Sequence, residues 1–428
     1  MFHKKAIPAA AVLVASGLVL AACGRSAEPG DTMSPQPSDT GTGPVTGELN
    51  IWAQGGEGEH LPEFKKQFEA ENPGITINVT AIPWDAAHAK YQTAIAGGTA
   101  PDIAQMGTTW MGDFADGFVP TPSNIDTSGF FSGSVASTIV HGVAYGVPWS
   151  GDTRVLYYRT DLAEKAGVTT PPTTFEDFKA LAKAYQTKAG AKWGVELPAG
   201  GRDSVQAMMW IPWSNGADLM NADQSKWTFD TPEFVDALTY YQSFFTEGIA
   251  NPNPETGAGS TESAFVDGSI PMFIGSPGQI QQLEAAGGAD FGDKYAVAMV
   301  PAGANGTSTS FVGGSNLVVF KDSKNQAAAW KFIEWLSQKD IQLSWRLASG
   351  DLPLVKTAWE DPALADDEKM TVIGEQLNSS KSPPQISTWT EVGAAADTIL
   401  EQIVKAGADP ATAVKSLQAT ADSIGIGS

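Results

Sequence analysis

Residues 49–79 read LNIWAQGGEGEHLPEFKKQFEAENPGITINV, and this stretch decides the fold class. Apolar residues alternate through Glu48–Ala53, which predicts a strand. Gly55, Gly56 and Gly58 then predict a turn, and Leu61, Phe64 and Phe68 fall on one face of a helix. A second alternating strand, ITINVTAI, occupies residues 75–82. Working outward, a helical segment is expected from Asp85 to Ala96, closed by Gly97-Gly98, and a short strand follows in PDIAQM at 101–106. Strand and helix in strict alternation predict an α/β layer with a mostly parallel sheet. Downstream, Thr174 and Asp177 form a capping-box pattern ahead of a helix carrying Phe178, Leu181, Ala182 and Tyr185. SNLVVF at 315–320 predicts a late strand. Asp322 or Ser323 is positioned to cap the next helix, which should bury Ala329, Phe332, Ile333 and Leu336. The region from about Thr390 to Ala421 is alanine-rich and should be mostly helical.

Toward the N-terminus the pattern changes. Lys4 and Lys5 precede an uncharged, mostly apolar run over residues 6–22, slightly short for a transmembrane span of about 20 residues. A charged start, an apolar run and small residues at its end describe a secretory signal peptide over 1–22. Cys23 is the only cysteine among 428 residues, so it can form no internal disulfide. Leu20-Ala21-Ala22-Cys23 resembles the lipobox of bacterial lipoproteins, which implies a lipid on Cys23 and a place on the outer face of the cytoplasmic membrane. Residues 24–46 are rich in Pro, Gly, Ser and Thr and are expected to form a tether spanning roughly 25–30 Å.

Without residues 1–22 the chain keeps 24 basic and 48 acidic side chains, a net charge of −24. So acidic a surface argues against nucleic acid as a partner. The roughly 380 residues after the tether exceed what one hydrophobic core usually serves, so two lobes are expected. The common catalytic motifs for phosphate, zinc and serine chemistry are absent from the sequence. His60, His88 and His141 show no metal-ligand spacing, and no cofactor is implied. Paired carboxylates of a glycoside hydrolase remain possible, because such pairs meet only in the fold. The 13 tryptophans stand out. Sugars stack apolar C–H faces on aromatic rings and bond hydroxyls to charged groups. Trp84-Asp85, Trp149 ahead of Asp152, and Trp389-Thr390-Glu391 carry that mixture.

The opening stretch, together with GGTAPDIAQMGTTWMGDFADGF, YGVPWSGDTRVLYYRTDLAEKAG and GGSNLVVFKDSKNQAAAWKFIEWLSQ, resembles the carbohydrate-binding lipoproteins of ABC importers, which include the maltose- and trehalose/maltose-binding proteins. The likeness covers about residues 48–340 and continues through GDLPLVK and PPQISTWTEV. It implies a two-lobe α/β periplasmic-binding-protein fold of type II, with lobe one at 47–152 and 299–337 and lobe two at 153–298 and 338–428. It further implies a monomer that closes on a small carbohydrate and docks on the importer's permease subunits, with binding rather than bond making as its function. Carried over by position, it implies ligand contacts at Glu57, at Thr108, Thr109 and Trp110 after the third strand, at Asp152 near the first hinge, and at Trp389 as a stacking ring. Trp210, Ser315, Asn316 and Asp351 complete the candidate set. Two family tryptophans are missing: Ser276 precedes Pro277 in one position, and Ser315-Asn316 stands in the other. Their loss favours a small polar pocket for one or two sugar units, an α-linked glucose disaccharide such as trehalose or maltose ahead of long maltodextrins. A secreted hydrolase and a binding protein for another solute are the competing readings. An anionic solute would need basic residues, for which Arg154, Arg202 and Arg346 are the candidates.

Overall fold

A computed structural model describes residues 45–255 and 257–427. Cys23, the leader and nearly all of the tether lie outside the described residues. The first sheet begins with β1 (Gly47–Gln54), β2 (Ile75–Ile82) and β3 (Ile103–Gly107). β1 pairs parallel with β2 over its whole length, Gly47 against Ile75 through Gln54 against Ile82. β3 pairs parallel on the other side of β1, Ile51 against Ile103. The alternation of the opening stretch is the alternation of burial: Leu49, Ile51 and Ala53 are sealed from solvent. α1 (Gly55–Glu71) buries Leu61, Phe64 and Phe68 against them.

The glycine turn expected after β1 is absent, because α1 starts directly at Gly55. Gly58 explains the tight junction. A Cβ there would stand 2.7 Å from the Ala53 carbonyl oxygen, so only glycine lets the helix lie this close to the strand.

The short hairpin β4 (Ile139–Val140) and β5 (Val143–Ala144) leads into β6 (Val147–Thr153). Arg154 alone separates β6 from β7 (Val155–Arg159), the middle strand of the second sheet. β8 (Met272–Gly275) and β9 (Tyr295–Ala298) flank β7, both antiparallel. The chain then returns as β10 (Ser310–Val319), inserted between β3 and β6 and antiparallel to both, while β11 (Ser380–Lys381) pairs with the start of β10. The first sheet is therefore mixed rather than parallel throughout. The returning strand enters from the second sheet and runs against its neighbours.

Local signals behave as their chemistry requires. Thr174 Oγ1 accepts from the Asp177 N–H at 3.1 Å and opens the helix Phe175–Ala184, which buries Phe178, Leu181 and Ala182. The helix Gln326–Leu336 has Asn325 at its cap with no side-chain cap bond, while Ser323 Oγ donates to Asp102 Oδ1 and accepts from the Asn325 N–H at 3.1 Å. The C-terminal helices Trp389–Lys405 and Pro410–Ile424 pack Val392, Leu400, Ile403, Val414 and Leu417 into one core with Trp210, Tyr241 and Phe244. The segment 338–378, expected in lobe two, touches both sheets: the helix Glu368–Asn378 packs on β9, where Gln376 Oε1 accepts from the Val300 N–H at 2.8 Å. Trp345 of the helix Lys339–Ser349 sits 5.0 Å from the Phe64 ring of α1 and 4.5 Å from the Trp149 ring of β6. No helix among the described residues is long and apolar enough to cross a membrane.

Candidate functional site

The parallel strands β1, β2 and β3 all deliver their carboxyl ends to one edge of the first sheet. In open α/β sheets, ligands bind outside the carboxyl ends of the strands. Here those ends carry Gln54-Gly55, Pro83-Trp84 and the turn Thr108–Trp110. Glu57 projects from the first turn of α1.

Gln105 organises this edge. Its Oε1 accepts from the Gln54 N–H at 2.7 Å, and its Nε2 donates to Glu57 Oε1 and to Ser315 Oγ, each at 2.9 Å. Ser315 pairs across the sheet with Ser150 of β6. Beyond Ser150 lies Asp351, whose carboxylate accepts from Trp345 Nε1 at 3.0 Å. The row from Glu57 to Asp351 is thus tied together by buried amide, hydroxyl and indole groups.

Two acids of this row are poorly solvated. Burial, with the Asp351 charge second, pushes Glu57 up to about 7. Burial also raises Asp351, opposed by hydrogen bonds from Ser349, Trp345 and Ser150. No cation pairs with Glu57 in the described structure; its carboxylate is answered by amide and indole N–H groups. Arg346 lies near Asp351, and burial lowers its pKa against the pull of Asp351 and Asp367.

A cavity of about 830 Å³ opens beside this row. Gly151 and Asp152 of β6 line one wall, Arg346 and Asp351 another, and Ser276–Gly278 after β8 bring in the second sheet. Its size falls within the range of small-molecule sites, roughly 300–1,000 Å³. Asp152 is one-third exposed and ion-paired with Arg154. Tyr157 Oη donates to the Ser276 carbonyl at 2.7 Å and holds that loop. No cluster of three or more metal-ligating side chains occurs among the described residues.

The structure brings together Glu57, Ser315, Asp152 and Asp351, with Thr108, Thr109 and Trp110 in the adjoining turn. Thr108 and Ser315 are buried. Asn316 is sealed inside the sheet, where its Nδ2 donates to the carbonyl and hydroxyl oxygens of Ser137 at 3.2 and 3.1 Å. Trp210 and Trp389 do not reach the cavity. Trp210 lies between Phe175 and Phe178 in the lobe-two core, and Trp389 packs beside Trp227 with 2 % of its surface exposed. Gln105 was not a candidate from sequence; a lone glutamine in a strand carries no signal of its own. Arg346, from sequence a candidate for an anionic solute, lines the cavity among carboxylates.

Residues 52–343 match the profile of the bacterial extracellular solute-binding protein family. Among solved structures, the sugar-binding protein MalE from the phytopathogen Xanthomonas citri is 30% identical, covers 88% of this chain and 97% of its own, and superposes with a TM-score of 0.82. The GacH receptor of Streptomyces glaucescens, solved unliganded and with acarbose, is 25% identical over 89% of this chain and 98% of its own, TM-score 0.74. The galactooligosaccharide-binding protein of Bacillus subtilis is 24% identical over 419 residues, 95% of this chain and 94% of that protein. Two sheets joined by hinge segments, a cavity walled from both, and a profile match over most of the chain lead to one conclusion: the chain belongs to the bacterial extracellular solute-binding protein family.

Proposed function

We propose that this protein captures a small neutral carbohydrate, an α-glucosidic disaccharide such as trehalose or maltose, and delivers it to the permease subunits of an ABC importer. The observation that carries this reading is the cavity between the two sheets, lined by Asp152, Asp351 and Arg346 and backed by Glu57. Carboxylates and a guanidinium bond vicinal hydroxyls with charge-assisted strength. Similarity to proteins described as sugar-binding, as receptors solved with acarbose, and as galactooligosaccharide-binding supports the same class. In this reading the protein is a monomer that binds and releases its cargo without breaking bonds. Cys23 carries the lipid that holds it on the outer face of the membrane, and the lobes close by hinge rotation.

A thermal-shift screen of mono- and disaccharides tests the reading, followed by calorimetric titration of any hit. A ligand at 100 times its Kd adds about 2.7 kcal/mol of stability. A panel in which only amino acids, peptides or metal ions raise the melting temperature refutes it. Analysis of the incubated sugars for cleavage products separates binding from hydrolysis.

A further inference from the structure

We infer that Trp84, at the β2–α2 turn, is the ring on which a pyranose stacks, where α2 is the helix Trp84–Gly97; the inference rests on the carbohydrate reading above. The chain has 13 tryptophans, of which Trp52, Trp110, Trp193 and Trp359 are half-buried. Trp84 alone is exposed, at 39 %. Trp149, Trp210, Trp213, Trp227, Trp330, Trp335, Trp345 and Trp389 are buried. A single exposed ring is ordinary on a protein surface, so it is the position of Trp84 that carries the argument.

Its position says which partner. Trp84 stands at the carboxyl end of β2, beside the turns that end β1 and β3. A Cβ on Gly55 would lie 2.8 Å from Cδ1 and Nε1 of the indole, so the ring edge rests directly over the β1–α1 turn. The indole N–H faces the Glu57 carboxylate. An apolar ring face beside a carboxylate is the chemistry that takes a sugar: C–H groups on the ring, hydroxyls on the acid.

The ring is also propped in place. Trp110 meets Trp84 edge to face at 5.6 Å. His88 backs Trp110 at 5.4 Å, and its Nε2 lies 2.8 Å from Asp113 Oδ2. An aromatic wall held this way loses little side-chain entropy on binding. In lobe two, Trp210, Trp213, Trp227 and Trp389 lie in the core, half-buried Trp193 lines a different cavity with Asn251 and Glu255, and the loop after β8 presents Ser276–Gly278. Lobe one alone presents an exposed indole.

The test titrates purified wild type, Trp84→Ala and Trp84→Phe with maltose and with trehalose, with melting temperatures as the folding control. Trp84→Ala should bind about tenfold more weakly, and Trp84→Phe should stay within about threefold of wild type, because a smaller ring still stacks. Trp84→Ala loses contacts with Gly55, Trp110 and Glu57, so its melting temperature without sugar should fall modestly and stay well above the titration temperature. Trp84→Ala with wild-type affinity overturns this inference and leaves the carbohydrate reading standing. Trp84→Phe as weak as Trp84→Ala overturns stacking in favour of the N–H contact to Glu57. A wild-type protein that binds neither disaccharide overturns both this inference and the α-glucosidic reading.

Discussion

Replacing Glu57 with glutamine tests the electrostatics of the site without a ligand. An unperturbed glutamate titrates near 4.5, and burial together with the Asp351 charge pushes Glu57 up to about 7. Between these values the native state holds a proton that the unfolded chain has released. Stability from this group is therefore fully present below pH 4.5 and is lost as the pH rises through 7. The shift corresponds to about 3 kcal/mol as a ceiling, lessened by the part of the carboxylate that water still reaches. Glu57→Gln keeps a side-chain oxygen for the Gln105 Nε2 bond and never carries a charge. It also removes the repulsion felt by Asp351. The expected result is a variant close to wild type at pH 4.5 and more stable than wild type at pH 8, by about 1–3 kcal/mol. Chemical denaturation of both proteins at four pH values between 4.5 and 8 measures it. Two stability curves that run parallel across that range would show that Glu57 ionises as a solvated acid does, and the argument for a buried, unpaired carboxylate would fail.

Three further outcomes can be checked. Asp152→Ala should weaken sugar binding by about ten- to a hundredfold in calorimetry, the worth of a hydrogen bond to a charged group, with Asp152→Asn costing less; unchanged affinity in folded protein rules out Asp152 as a ligand contact. Trp389→Ala should cost about 3–5 kcal/mol of stability, as expected for a fully packed tryptophan, while the folded fraction binds sugar normally; a weakened Kd with an unchanged melting temperature would put the ring back on the ligand. Cys23→Ser should move the protein from the membrane fraction to the soluble fraction with sugar binding intact, and a variant that stays on the membrane refutes lipid anchoring.

What the sequence alone determined is local. Leu49, Ile51 and Ala53 alternate with polar residues, Phe64 and Phe68 sit one helical turn apart, and Thr174 precedes Asp177 by three. Each pattern acts over a few residues, so β1–α1–β2–α2–β3 and the capped helix at Phe175 were legible before any coordinates. Placement of Glu57, Asp152 and Asp351 at one site came from resemblance to a family, and the cavity beside them needed both sheets in place. Tertiary structure decided the rest. Gln105 reaches Glu57 and Ser315 across 48 and 210 residues of chain, a bond that no window of sequence contains. The antiparallel entry of β10 depends on a return from the second sheet, and the docking of Trp345 on Phe64 on a helix far along the chain. The tryptophans make the point most directly. Trp84-Asp85 and Trp389-Thr390-Glu391 look alike as aromatic–acid neighbours. One ring lies open over Gly55 and the other is sealed beside Trp227. A side chain's identity sets what it can bind, but its exposure is set by distant residues that pack around it, and only the folded chain brings those together.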